Sequence, residues 1–174
     1  MNSMDEIKAI LMNTIILARD AEQYVPGQPG VYCIAISDVN LLTDPFRTEL
    51  ITRNHKILYV GQASNSLLER LVHQDLRHKS PASFFRSIGA VIGYRPVKGF
   101  SKNYKFSVED TMKIINWINV NLFVSWHIVD KELLDVTERA LINDLKPIMN
   151  IKDNPYKLKE LQDLRKQCRQ FASQ

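Results

Sequence analysis

Pro26-Gly27-Gln28-Pro29-Gly30-Val31-Tyr32-Cys33-Ile34-Ala35-Ile36-Ser37 and, further on, Lys56-Ile57-Leu58-Tyr59-Val60-Gly61 are the stretches on which the fold turns. Each ends in a run of β-branched and aromatic residues, and the first is set off by Pro and Gly breakers, so both read as short buried strands. Asp38 to His55, with Pro45 inside it, reads as a long hairpin insertion between them. Gly30 opens the first strand and Gly61 closes the second. A hairpin therefore brings Gly30-Val31-Tyr32 beside Tyr59-Val60-Gly61, and the two phenols meet at one end of the sheet.

Outward from this hairpin, Ile7, Ile10, Leu11, Thr14, Ile15 and Ala18 keep helical spacing, which predicts an N-terminal helix from Ser3 to Asp20. Ser66-Leu67-Leu68-Glu69 has the form of a capping box and starts a helix with Arg70 in its first turn. On an α-helical wheel, Leu67, Leu68, Leu71, Val72 and Leu76 take one side, and Arg70, His73, Gln74 and Arg77 the other. Ser80-Pro81 predicts a further helix start, Gly93 to Lys105 a basic loop, and Ser107-Val108-Glu109-Asp110 another capped helix. Leu122 to Val129 alternates as a strand, Lys131 to Leu145 reads as a helix ended by Pro147, and Tyr156 to Phe171 as a last, charged helix. The expected fold is one α/β domain over residues 1–174, with a small central three-stranded sheet flanked by helices. Its parts are an N-terminal helix within 1–24, a core over 25–154 and a C-terminal helix within 155–174.

The 174 residues are 45% hydrophobic and 24% charged, with 6 Gly and 7 Pro, a composition that excludes disordered and collagen-like chains. The net charge is only +4, but residues 70–105 hold eight Lys or Arg against the single acid Asp75, which favours a polyanionic partner. Cys33 and Cys168 fall in no metal-ligand spacing and make an unlikely disulfide framework. There is no apolar run of membrane-spanning length and no basic stretch at the N-terminus of the secretory type, so a cytoplasmic location without membrane association is expected.

Glu138 is the most informative single residue. Leu134, Leu141, Ile142 and Leu145 lie within about 60° of it at the helical period, so it interrupts an apolar stripe. A carboxylate there asks for a metal, a buried ion pair with a residue such as Arg70, or a helix rotated toward water. Other chemistries find no footing: there is no GxSxG elbow and no Walker lysine loop. His73 and His78 do not form a HExxH pair, and Trp117 and Trp126 read as core aromatics.

In order, Gly30-Val31-Tyr32, Tyr59-Val60-Gly61, Arg70, Glu138 and Asn150 make a string that resembles the GIY-YIG nuclease family, over Gly30 to Asn154. The resemblance implies a metal-dependent endonuclease that hydrolyses DNA, single- or double-stranded. It implies Tyr32, Tyr59, Arg70, Glu138 and Asn150 as the catalytic set, with Glu138 the ligand of Mg²⁺, or of Mn²⁺ in its place. Tyr59 is the expected general base, Tyr32 its support, and Arg70 the group that stabilises transition-state charge. Gly30, Gly61, His73, Arg77, Arg86, Lys98 and Lys102 are the expected substrate contacts, with the C-terminal Lys/Arg cluster adding phosphate contacts. A monomer or weak dimer is expected, and the alternative is a non-cleaving nucleic-acid-binding or regulatory module on the same fold. The chain departs from many relatives in having Gln62 where they carry Lys, His73 three rather than four residues after Arg70, and 26 residues between Tyr32 and Tyr59.

Overall fold

The strand Gly30–Ile36 is buried along nearly its whole length, and the rest of the molecule is arranged around it. The computed structural model describes residues 3–174. The elements are α1 (Met4–Asn13), β1 (Ile16–Leu17), α2 (Ala21–Tyr24), β2 (Gly30–Ile36), α3 (Phe46–Arg53) and β3 (Ile57–Ala63). A π-helix (Leu68–Leu76) follows, then α4 (Ser83–Val91), α5 (Val108–Asn121), β4 (Leu122–Ile128), α6 (Leu134–Leu145) and α7 (Lys159–Ser173). Among the described residues no helix is long and apolar enough to cross a membrane, and both cysteines are free.

The sheet has four antiparallel strands in the order β1-β4-β2-β3, one more than the sequence predicts. The extra strand comes from the expected N-terminal helix, which stops at Asn13 instead of reaching Asp20. Ser3 and Glu6 form the capping box that starts α1. The β-branched run Thr14-Ile15-Ile16 then resists helical χ1 restriction, and Ile16 and Leu17 pair with Val124 and Phe123 on β4. The Asp38–His55 insertion is also more ordered than its composition suggests, because Leu42, Phe46 and Leu50 bury against the core and Phe46–Arg53 closes into α3. Helix α4 begins at Ser83, after an extended Ala82, and not at Pro81.

Alternation along the strands divides the core. Tyr32, Ile34 and Ile36 of β2 face the π-helix and α4, α5 and α7, through Leu71, Phe84, Phe85, Ile114, Ile118 and Leu161. Val31 and Cys33 face α1 and α6, through Ile7, Leu11, Leu134, Leu141 and Ile142. β3 is left as an edge strand, and an edge strand must satisfy its outward backbone groups. The chain after α6 does this: Met149 N–H donates to the Leu58 carbonyl at 2.8 Å, and the Asn150 side chain takes both polar groups of Val60.

The two tripeptides meet in register, with Tyr32 opposite Gly61. Gly61 is required by packing, since a Cβ there would lie 2.3 Å from Tyr32 Cζ and 2.4 Å from its hydroxyl. Gly30 is confined in the same way, a Cβ there falling 2.3 Å from the His127 carbonyl oxygen. At both glycines, which are expected substrate contacts, the protein's own atoms occupy the space a side chain would take. Gly61→Ala must push the Tyr32 ring off its seat, and overpacking of this kind costs about 1–3 kcal/mol. We expect a lowered Tm by thermal melting with no change in net charge; an unchanged Tm would mean that the ring is free to move.

Candidate active site

Most of the motif residues meet at a cavity of about 580 Å³ lined by Tyr59, Gln62, Arg70, Glu138, Asn150 and Arg165 among others. It straddles β3. Tyr59 and Arg70 come from the π-helix side of the sheet, and Gln62 and Glu138 from the α6 side. The strand thickness sets the separation of the two walls.

On the first wall, the Tyr32 and Tyr59 rings lie 6.4 Å apart between centroids, and Tyr59 also packs on Phe84 at 5.4 Å. Their environments differ. Tyr32 is fully buried and donates its hydroxyl to Asp75 Oδ2 at 2.5 Å, whereas the Tyr59 hydroxyl has no hydrogen-bond partner among the described residues and the side chain lines the cavity. Burial pushes both phenols above their ordinary value; Asp75 reinforces this for both, and Arg70 pulls the other way. Of the two, only Tyr59 is in position to meet a substrate.

Asp75 is the site residue that sequence reasoning missed. Its carboxylate is completely buried and bridges Tyr32 to Arg70, whose Nη1 donates to Asp75 Oδ1 at 2.8 Å. On an α-helical wheel positions five apart point about 140° away from each other. The helix here closes i→i+5, a π winding that puts Arg70 and Asp75 on one face. Burial disfavours the Arg70 cation, but the Asp75 carboxylate beside it opposes this, and Arg70 stays protonated. Gln74 Oε1 accepts a second, longer hydrogen bond from the same Nη1 at 3.3 Å.

On the opposite wall, Leu134, Leu141, Ile142 and Leu145 of α6 are buried as the stripe predicts, and Glu138 lies half-buried at the cavity. It forms no ion pair among the described residues, so the salt bridge to Arg70 that sequence left open does not exist: Arg70 belongs to Asp75. Burial raises the Glu138 carboxyl, as do Asp135 and Asp153, against Lys152 and the Gln62 amide. Gln62 itself donates to Asp135 at 2.7 Å. The Asn150 amide pairs with the β3 backbone, Oδ1 accepting from Val60 N–H at 2.9 Å and Nδ2 donating to Val60 C=O at 2.8 Å. These bonds fix the side chain on the strand edge at the cavity lining.

A model of the GIY-YIG catalytic domain matches residues 30–170. The chain belongs to the GIY-YIG family. Its function is accordingly of the nuclease type, and its match extends through most of α7, beyond the Asn154 limit read from sequence. No curated protein and no solved structure matches the chain.

Several expected substrate contacts of this GIY-YIG domain are engaged elsewhere. His73 lies between Glu69 at 2.9 Å and Glu22 at 3.2 Å, and Arg77 donates to the Ala18 carbonyl at 2.9 Å, tying the π-helix to the N-terminal segment. Arg86 is buried under α7, while Lys98 and Lys102 are exposed on the 93–105 loop, outside the cavity lining. The 38–55 insertion contributes nothing to that lining. Arg53 anchors it instead to the Lys146 and Tyr156 carbonyls.

Burial pushes the Asp75 carboxyl up to about 6 from 3.8, against the opposing pull of Arg70 and the Tyr32 hydroxyl. The native state then holds this proton to a higher pH than the unfolded chain, so ionisation costs stability as pH rises through that interval. Asp75→Asn, which does not titrate, should gain stability relative to the unsubstituted protein between about pH 4 and 6 and level off above. Denaturant titrations across that range check it; the opposite slope would mean that the Arg70 ion pair outweighs burial.

Proposed function

We propose that this protein is a divalent-metal-dependent endonuclease that hydrolyses DNA phosphodiester bonds. One juxtaposition supports this most: the open Tyr59 hydroxyl, the Arg70 guanidinium and the unpaired Glu138 carboxylate line one cavity, on either side of an edge strand. No group of three or more His, Cys, Asp or Glu side chains suited to a metal occurs among the described residues. A cation here would be held by Glu138, with the substrate phosphate and water as its remaining oxygen ligands, an arrangement that suits Mg²⁺ or Mn²⁺. The raised Glu138 carboxyl, crowded by Asp135 and Asp153, fits such a role. When bound, the cation supplies Lewis-acid stabilisation of charge building on the phosphate.

The chain's own residues divide the remaining work. Asp75 fixes the Arg70 fork in one orientation, so the guanidinium meets the developing negative charge on the phosphate oxygens without reorganising. Tyr59 holds the attacking water by a hydrogen bond. To take the water's proton, its phenol must be brought down from the high value that burial imposes, and Arg70 pulls in that direction, with Arg165 adding to it. Gln62 adds no charge beside Tyr59, because it is neutral and turned onto Asp135. Tyr32 stays sealed beneath, holding Asp75.

The decisive assay presents single-stranded, duplex, branched and supercoiled DNA to the purified protein with Mg²⁺ or Mn²⁺. We expect cleavage of at least one form and none in chelator. Binding of all forms without cleavage under both ions would overturn the reading in favour of a nucleic-acid-binding module. Arg70→Ala should lower turnover by roughly 10² to 10³. Glu138→Gln should lower it by at least about 10³ while leaving the metal-free fold as stable or more so above the carboxylate range, since the ionised form is disfavoured there. A large stability loss in chelator would identify Glu138 as structural.

A further inference from the structure

The cavity does not end at the catalytic residues. Its far side is formed by α7, which contributes Gln162, Arg165 and Arg169, positions i, i+3 and i+7 on one helix face. The adjoining face buries Leu161, Cys168 and Ala172 against the core, and Gln162, Arg165 and Arg169 line the cavity beside it.

Charge is unbalanced here. Arg165 and Arg169 form no ion pair among the described residues: Arg165 Nη1 reaches only Ser87 Oγ, at 3.4 Å, and its buried Nε has no partner. Behind them Arg86 of α4 is 7% exposed, with Nε and Nη1 both buried and unpartnered and its guanidinium 5.8 Å from the Tyr104 ring centroid. The nearest acids of α7 are turned away or committed, Asp163 to Lys159 at 2.8 Å and Glu160 to solvent. Arg165 reaches Ser87, the residue after Arg86 on α4, and burial disfavours the Arg86 cation, with the positive charges of Arg165 and Arg169 adding to it against Tyr104. Glu138 and Asp153 line the same cavity, but neither forms an ion pair with these guanidinium groups, Asp153 lying instead beside Lys152, so the unused buried donors leave a place for an anion. Helix-dipole compensation at the α7 C-terminus would account for Arg169, but not for Arg165 two turns from the end or for Arg86 on another helix.

We propose that Arg165 and Arg169, backed by Arg86, form a second phosphate-binding subsite that holds a backbone phosphate of the nucleic-acid strand next to the one at Arg70. This rests on the nuclease reading for its substrate and adds a second anchor for the strand. A cavity of about 580 Å³ is of the size that accepts whole small-molecule ligands, and so has room for more than one nucleotide unit. Two fixed points, one on the π-helix and one on α7, set the direction in which the strand crosses β3. A single anchor at Arg70 would let it swivel.

The test uses the full-length protein in chelator, where cleavage cannot intervene, with a fluorescein-labelled 12-nucleotide single strand and its duplex, reading affinity by anisotropy against salt. Arg165→Gln and Arg169→Gln should each flatten the log–log salt dependence by about 0.7 unit on the single strand and 0.9 on the duplex, and both together by about twice that. Lys113→Gln removes an exposed charge from α5, outside the cavity lining, and should leave the slope unchanged. Melting curves for each variant confirm that the fold is retained. Equal flattening by all three variants, no flattening by either Arg variant, or no DNA binding at all would each overturn the subsite. If the slopes behave as expected while the unsubstituted protein cleaves no DNA with either metal, the subsite stands and the catalytic reading falls.

Discussion

Val60 lies on the open edge of β3, and its N–H and C=O are both taken by the side-chain amide of Asn150. A primary amide presents one acceptor and two donors in a plane, so it pairs with a strand edge much as another peptide would. Met149 donates to Leu58 beside it, and Asn154 holds the loop in turn by donating to the Pro147 and Asn150 carbonyls at 3.0 and 2.9 Å. The cavity floor is thus a sheet edge closed without a fifth strand. A full strand there would have filled the space into which Tyr59 and Glu138 open.

The wall carrying Arg70 rests on a different device. A buried carboxylate is unfavourable unless its charge and lone pairs are met, and Arg70 and Tyr32 offset part of that cost for Asp75. The guanidinium is held on one side by this ion pair and left partly open on the other, with 30% of its side chain exposed. The result is a cation that is rigid before anything binds. The Tyr32 phenol, buried over Gly61, anchors the arrangement to the middle of the sheet.

Much of this was legible in sequence where the signal is local. The hairpin strands, the Ser107 cap and the apolar stripe interrupted by Glu138 all rest on short-range periodicity, and each is where the pattern puts it. The misses share a cause. Thr14 to Ala18 fit a helical period, but pairing of Ile16 and Leu17 with β4, more than 100 residues away, decides their conformation. Asp75 stays hidden because a wheel drawn at 100° per residue puts it on the far side from Arg70, and only the wider π winding brings them together. His73 and Arg77 look like free basic groups until the N-terminal segment folds back and supplies Glu22 and the Ala18 carbonyl. Asn150 was found by resemblance, yet its task, satisfying a backbone edge, leaves no trace in spacing.

The residues between β2 and β3 enter and leave the sheet at the end away from Gly30 and Ala63. Extending a hairpin loop from about five residues to about twenty raises its closure entropy by only about 1.2 kcal/mol, at roughly 0.6 kcal/mol per doubling. Burial of Leu42, Phe46 and Leu50 is of ample size to offset that. Growth at this end is therefore nearly free of consequence for the register that sets Tyr32 against Gly61. The hairpin behaves as a lever clamped at one end, on which new sequence can accumulate at the other without moving the clamp.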